Sequence, residues 1–177
     1  DLTNKLLSFE RASGTDILTS GYPINFKTLI QSVSDAFSTQ HPNKNIALSH
    51  VLPSADVTIH GDDTMLREAL LNVLTNAIIH GGPKLSKIEL RLSLDGQIAV
   101  LTVTDDGMGI PPDRHVEAIS RFSQAGGGPG SGLGLPIAAK VMQNHGGMLE
   151  ILDCTSGASI RLSLPFVPDP KCDQIGR

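Results

Sequence analysis

Asn72 and Asn76 stand four residues apart in an apolar run, and Glu68 and His80 continue the same spacing. On a helix that spacing makes one polar column. An amide oxygen is a suitable hard ligand for Mg2+, an ion that keeps several waters and bridges phosphates instead of sitting in an all-protein cage. Further on, the apolar stretch 99–104 ends in Asp105-Asp106-Gly107-Met108-Gly109. A carboxylate at that strand end can accept a hydrogen bond from the exocyclic amine of adenine, and it would repel the carbonyl oxygen of guanine. Gly107 and Gly109 permit a close backbone turn beneath the base. The run from Gly126 to Leu135 then feeds into a helix whose first N–H groups and dipole attract phosphate. Singly these signals are weak: a lone helical Asn commonly bonds a neighbouring loop, a D-x-G-x-G ends many ordinary turns, and a glycine run is commonly a linker. Together, in this order, they describe a nucleotide site over which the third segment can close.

The elements that must hold these groups are legible from periodicity. Tyr22 to Phe26 reads as a strand, and 27–39 as a helix with Leu29, Ile30, Val33 and Phe37 on one face. Residues 45–51 and 56–60 read as short strands. Asp62 or Asp63 caps a helix that runs to His80 and stops at Gly81-Gly82-Pro83, and its apolar residues lie on so many sides that it should be largely buried. Strands 87–94 and 98–104 form a hairpin about Asp95-Gly96. The span 106–131 is loop-like with a helical turn near 115–122. A helix over 132–145 and strands over 148–153 and 158–165 complete the set. Helices mixed with hairpins predict an α+β two-layer sandwich, a mixed and mostly antiparallel sheet covered on one face by helices.

Composition narrows the field of partners. A net charge of -4 with no long basic block, and aromatics at only 3%, argue against a nucleic-acid surface. No stretch approaches the roughly 20 apolar residues of a membrane span, so the piece reads as soluble. Cys154 and Cys172 lack zinc spacing and read as free thiols of a reducing compartment. Among the histidines, His41, His50, His60 and His115 read as solvated, and His145 as a contact to a helix C-terminal dipole. His80 reads equally as packing or as a phosphate-side contact.

The Asn-bearing helix, D-x-G-x-G, the pair Arg121-Phe122, G-x-G-L-G-L at 130–135 and the late Gly157-Ala158-Ser159 resemble, in that order, the ATP-binding catalytic domain of bacterial sensor histidine kinases. The resemblance covers residues 22–166. It implies the Bergerat-type ATP-binding fold shared with gyrase, Hsp90 and MutL, with ATP and Mg2+ as ligands. It also implies that Asn76 holds Mg2+, Asn72 supports the metal and phosphate site, and Asp105 reads adenine. Gly107, Gly109, Gly132 and Gly134 shape pocket and lid, and His80, Ile110, Phe122, Gly130, Ser131, Leu133, Leu135 and Ser159 complete the nucleotide contacts. Residues 1–20 resemble the end of a dimerisation helix and its linker. On that basis 21–168 is the catalytic domain and 169–177 a polar tail. The implied partners are a dimerisation domain carrying the phosphoacceptor histidine and a response regulator, with the parent a membrane-anchored homodimer of the bacterial inner membrane and this domain on the cytoplasmic side.

Within that superfamily the ATP-hydrolysing members carry a water-activating Glu where this chain has Asn72, an amide without useful basicity. Phosphoryl transfer to a protein fits better than hydrolysis. Anti-sigma-factor serine kinases resemble the segment Asn76 to Gly81 but normally keep the Glu and lack G-L-G-L; a nucleotide-sensing module without transfer activity is the other alternative. Two departures stand out. No charged residue occurs in 122–139, with Gln124 where many histidine kinases have Arg, which leaves Arg121 as a weaker cation for the γ-phosphate. None of the six histidines lies in a His-Glu/Asp-x-Arg/Lys-x-Pro setting, so the chain is expected to bind ATP without phosphorylating itself.

Overall fold

Alternation along the central strands decides the architecture. The computed structural model describes residues 21–42, 45–120 and 132–167. The elements follow as β1 (Tyr22–Asn25), α1 (Phe26–Gln40), β2 (Ala47–Val51), β3 (Thr58–Gly61), α2 (Asp63–His80), β4 (Lys87–Asp95), β5 (Ile98–Asp105), α3 (His115–Ile119), α4 (Gly134–Asn144), β6 (Met148–Leu152) and β7 (Ser159–Val167). Short 3-10 turns cover Gly82–Lys84 and Pro112–Arg114. In β5, Ala99, Leu101, Val103 and Asp105 are buried while Thr102 and Thr104 are not. The matching inward row of β7 is Ile160, Leu162 and Leu164, and that of β4 is Ile88, Leu90 and Leu92. Period-two burial of this kind marks a sheet covered on one face.

The sheet runs β1-β3-β7-β5-β4-β2, with β6 also paired to β7. Among the described residues only β2 and β4 run parallel, and the other pairings are antiparallel. Helices α1, α2 and α4 supply the opposite layer, where Leu29, Ile30, Leu66, Leu74, Ile137 and Met142 are fully buried. The α+β two-layer sandwich and its mostly antiparallel sheet are as the sequence predicts. The expected elements at 1–20 and 169–177 lie outside the described residues. Among those described, no helix is long and apolar enough to cross a membrane.

Each helix end has an identifiable cause. Asn25, expected to be mid-strand, ends β1 and accepts the Thr28 N–H at 3.1 Å, which starts α1 one residue early. Asp62 caps α2 by accepting from the Met65 N–H at 3.0 Å. Its own N–H donates to Nε2 of His145, 3.0 Å away, while His145 Nδ1 lies 2.7 Å from the Val141 carbonyl. A carbonyl only accepts, so Nδ1 carries the proton and Nε2 is the acceptor. His145 therefore makes the expected contact at the C-terminus of α4, through the Val141 carbonyl, and in addition joins that end to the start of α2 as a buried, fully bonded ring. His115 is likewise no solvated residue: Nε2 bonds the Ile110 carbonyl at 2.9 Å, and Nδ1 lies 3.7 Å from Asp153. His50, exposed as expected, bonds Ser34 Oγ at 2.8 Å, and His41 caps α1 with its ring against Phe37. His60 is exposed.

Candidate functional site

The polar column predicted on α2 faces a cavity. Asn72, Thr75, Asn76, Ile79 and His80 form one wall of a hollow of about 370 Å3. The segment after β5 contributes Met108, Gly109, Ile110, Pro111 and Arg114, α3 contributes Ala118, and the start of α4 contributes Gly132, Gly134, Leu135 and Pro136. Glu68, one turn before Asn72, does not reach it. Thr75 and Ile79 were not among the expected residues, although they follow Asn72 by three and seven positions, the spacing that puts them on its face. Nothing but the proline punctuation marked the part played by Pro111, Arg114 and Ala118.

A smaller recess opens where Asn76, His80, Gly109 and Ile110 meet Asp105, Gly81 and Ala158. Asp105 is only 8% exposed. Its Oδ1 accepts the Gly107 N–H at 2.9 Å and the Ala158 N–H at 3.2 Å; among the described residues Oδ2 receives no hydrogen bond. Burial pushes this carboxyl above its ordinary value, against the two backbone bonds that favour the charge. Asp106 beside it is the reverse case. Its three bonds go to the Ser86 N–H at 2.8 Å, the Lys87 N–H at 2.9 Å and the Ser86 hydroxyl at 2.6 Å, and they hold its pKa at about 2. One carboxylate ties the start of β4 in place, and the other has an oxygen with no donor among the described residues.

The backbone about Asp105 comes unusually close to its neighbours. Gly157, at φ +69, lies so near the Asp105 carbonyl that any Cβ there would overlap it; Gly109, at φ +79, stands in the same relation to the Gly157 carbonyl. Only glycine satisfies both the left-handed φ and the approach. That approach lets Ala158 donate to Asp105, a role the expected Ser159 does not share. Ser159 pairs with Thr104, and its hydroxyl lies 3.3 Å from the Thr104 hydroxyl on the sheet face away from the helices. Strand alternation therefore removes Ser159 from the cavity. Leu133 is also corrected: it precedes α4 with its side chain fully buried in the core. Gly107 lies against Gly81 and shapes the recess without lining it. Arg121, Phe122, Gly130 and Ser131 lie outside the described residues.

Two features of the wall suit an anionic ligand with a bridging cation. Asn72 Nδ2 is buried and has no partner among the described residues, a state that costs about 1–3 kcal/mol unless a ligand or water relieves it. Among the described residues no side chain caps the N-terminus of α4, whose first-turn N–H groups are those of Gly134 and Leu135, since Pro136 has none and Ile137 donates to the Leu133 carbonyl. Among the described residues no cluster of three or more His, Cys, Asp or Glu side chains could cage a metal, and the described lining contains no carboxylate. An amide donor set fits Mg2+ carried in with a polyphosphate better than a resident ion. His80 is exposed at the rim, yet desolvation lowers its pKa, which favours the uncharged ring.

Comparison with known proteins agrees with this geometry. Residues 61–168, more than half of the chain, match the family model of histidine kinase-, DNA gyrase B- and HSP90-like ATPases. The sensor protein kinase PmrB of Pseudomonas aeruginosa is 29% identical over 97% of this chain and 36% of its own length. The sensor-like histidine kinase SenX3 of Mycobacterium tuberculosis is 29% identical over 93% and 41% respectively. The chain thus spans about a third to two fifths of these relatives. Among solved structures, the mycobacterial sensor histidine kinase MprB superposes with a TM-score of 0.73 at 30% identity, covering 84% of this chain and 99% of that one. Full-length ShkA in complex with AMPPNP gives a TM-score of 0.80 at 28% identity, over 95% of this chain and 36% of that one. The cavity, the carboxylate beneath it and the matched span agree, and the chain belongs to the histidine kinase-, DNA gyrase B- and HSP90-like ATPase family, as an ATP-binding catalytic domain of the sensor histidine kinase type.

Proposed function

We propose that the chain binds Mg-ATP in the α2–α4 cavity and presents the γ-phosphoryl group to a histidine on the dimerisation domain of its parent protein, from which it passes to a response regulator. The observation that carries this reading is a pair of groups without a partner among the described residues, Asn72 Nδ2 in the wall of the cavity and Asp105 Oδ2 in the recess that shares Asn76, His80, Gly109 and Ile110 with it. Asp105 Oδ2 suits the adenine amine, and Asn72 Nδ2 suits a phosphate oxygen or a water on the metal. Asn76 would hold Mg2+, which neutralises phosphate charge when bound.

Phosphoryl transfer asks the protein for position and electrostatics rather than for covalent chemistry. The wall would meet that demand with the Gly134 and Leu135 N–H groups at the start of α4 and with amides that neither add nor remove a proton. At Asn72 no base is available to activate water, so the bound nucleotide is held for transfer instead of hydrolysis. The attacking imidazole is its own nucleophile.

The test is to incubate the purified chain and Mg-ATP labelled in the γ-phosphate with the separately purified dimerisation domain of the parent. Acid-labile phosphate on the dimerisation domain, and none retained by the chain alone, is the expected result. Rapid release of free phosphate with no phosphohistidine, or stable labelling of the isolated chain, would overturn the proposal.

A further inference from the structure

The methionines of the chain differ sharply in their surroundings. Met142 is buried and Met65 half-buried, whereas Met148 is 52% exposed and Met108 70%. Met148 stands on β6, outside the cavity wall, while Met108 lines the cavity. Met108 also lies on the seam between two walls. Its N–H donates to the Gly81 carbonyl at 3.0 Å, and its Sδ lies so near Gly82 that a Cβ there would overlap it. Gly81 and Gly82 directly follow His80, the last residue of α2, and Gly109 and Ile110 directly follow Met108. One thioether thus rests where the helix that carries Asn72 and Asn76 meets the segment that leaves Asp105.

We infer that Met108 is an oxidation site of the nucleotide cavity, and that its sulfoxide, formed by a hydroperoxide, lowers the affinity for ATP. The inference rests on the proposed function and adds a chemical control to it. A lone pair on the thioether takes the terminal oxygen of the hydroperoxide. An S–O bond forms as the O–O bond breaks, sulfur loses two electrons, and the departing oxygen takes up a proton as water or alcohol. The product is polar and bulkier than the thioether, and its contact with Gly82 is too close to admit an oxygen on that side. On the open side a sulfoxide prefers water and draws the side chain off the turn. Either way the segment after β5 loses its apolar hold on the end of α2, and the two walls of the site no longer keep their spacing.

The full chain is treated with hydrogen peroxide in buffer freed of transition metals, with and without saturating Mg-ATP, and then with dithiothreitol, which restores oxidised thiols but leaves sulfoxide in place. Peptide mass spectrometry reads the added oxygen at each methionine, calorimetry reads Mg-ATP affinity, and a melting curve checks the fold. Met108 and Met148 should oxidise ahead of Met65 and Met142, and Mg-ATP should slow the reaction at Met108 while leaving Met148, the internal control, unaffected. The oxidised chain should stay folded, bind Mg-ATP about tenfold more weakly, and recover on treatment with methionine sulfoxide reductases. Met108→Leu, compared before and after peroxide, should show no fall in affinity. Full oxidation of Met108 with affinity unchanged would overturn the inference. So would an equal fall in Met108→Leu, absence of protection by Mg-ATP, or unfolding on oxidation. An untreated chain that binds no Mg-ATP would overturn the underlying reading of the site, a result distinct from these.

Discussion

At its first turn α2 is held by Asp62, whose carboxylate accepts from Met65 and whose N–H donates to His145 Nε2, while the other His145 nitrogen meets Val141. Two and a half turns later, the same helix presents Asn72 with a buried Nδ2 that has no partner among the described residues. Asp105 and Asp106 repeat the contrast within two residues, one with an open oxygen and the other with three donors on its carboxylate. In these two pairs the group that builds the fold is satisfied within it, and the group at the site is short of a partner among the described residues. Ser49 Oγ and Arg161 Nε, buried on the sheet, also lack one, so an unmet donor marks a site only where a cavity adjoins it.

That contrast breaks if the two kinds of group respond alike to removal. The largest effect expected is on stability: His145→Ala should cost about 3 kcal/mol, from a cavity plus an unpaired Asp62 N–H and Val141 carbonyl. Denaturant unfolding measures it, and ATP affinity of the protein that remains folded should change little. Asp105→Asn should do the opposite. Loss of the charge should weaken ATP binding by about 10–100-fold, with no fall in the melting temperature of the unliganded chain, because the amide oxygen can still accept from Gly107 and Ala158.

Asn72→Leu sharpens the comparison. It removes an unsatisfied buried donor, so the unliganded chain should become as stable or more stable, while Mg-ATP binding should fall by about tenfold; calorimetry of both states reads the two signs together. The smallest effects are those of pH. Asp106 has its pKa depressed to about 2 in the folded chain, so its contribution is present above the ordinary carboxylate value and is lost as pH falls from about 4 towards 2. Asp105 is shifted upward, so its charge opposes folding once pH has risen past its raised value, and its capacity to accept from adenine is lost on acidification sooner than for an ordinary aspartate. Stability against pH for Asp106→Asn, and ATP affinity against pH for the unaltered chain, separate the two.

Much of this was legible in the sequence because strong local signals agreed. The Asn column on α2, the Asp95-Gly96 hairpin and the strand ending at Asp105 are set by periodicity and turn chemistry, and the structure places them as expected. What failed depends on register or on distant partners. Ser159 was misplaced by the face on which β7 presents it, and Leu133 turns into the core although it sits inside a glycine motif. His145 meets Asp62 across 83 residues of chain, a contact that no local pattern encodes. Arg114 lay in a stretch read as loop, where a proline-braced turn and a solvated arginine look the same until the wall beside it is built.

Discrimination between adenine and guanine nucleotides tests the account most directly. Titration of the chain with Mg-ATP and Mg-GTP, repeated on Asp105→Asn, should show ATP bound at least about tenfold more tightly by the unaltered chain. The variant should lose most of that preference. Equal affinity for the two nucleotides in the unaltered chain would contradict the role of Asp105 and, with it, the reading of the recess beside the cavity as the adenine end of the site.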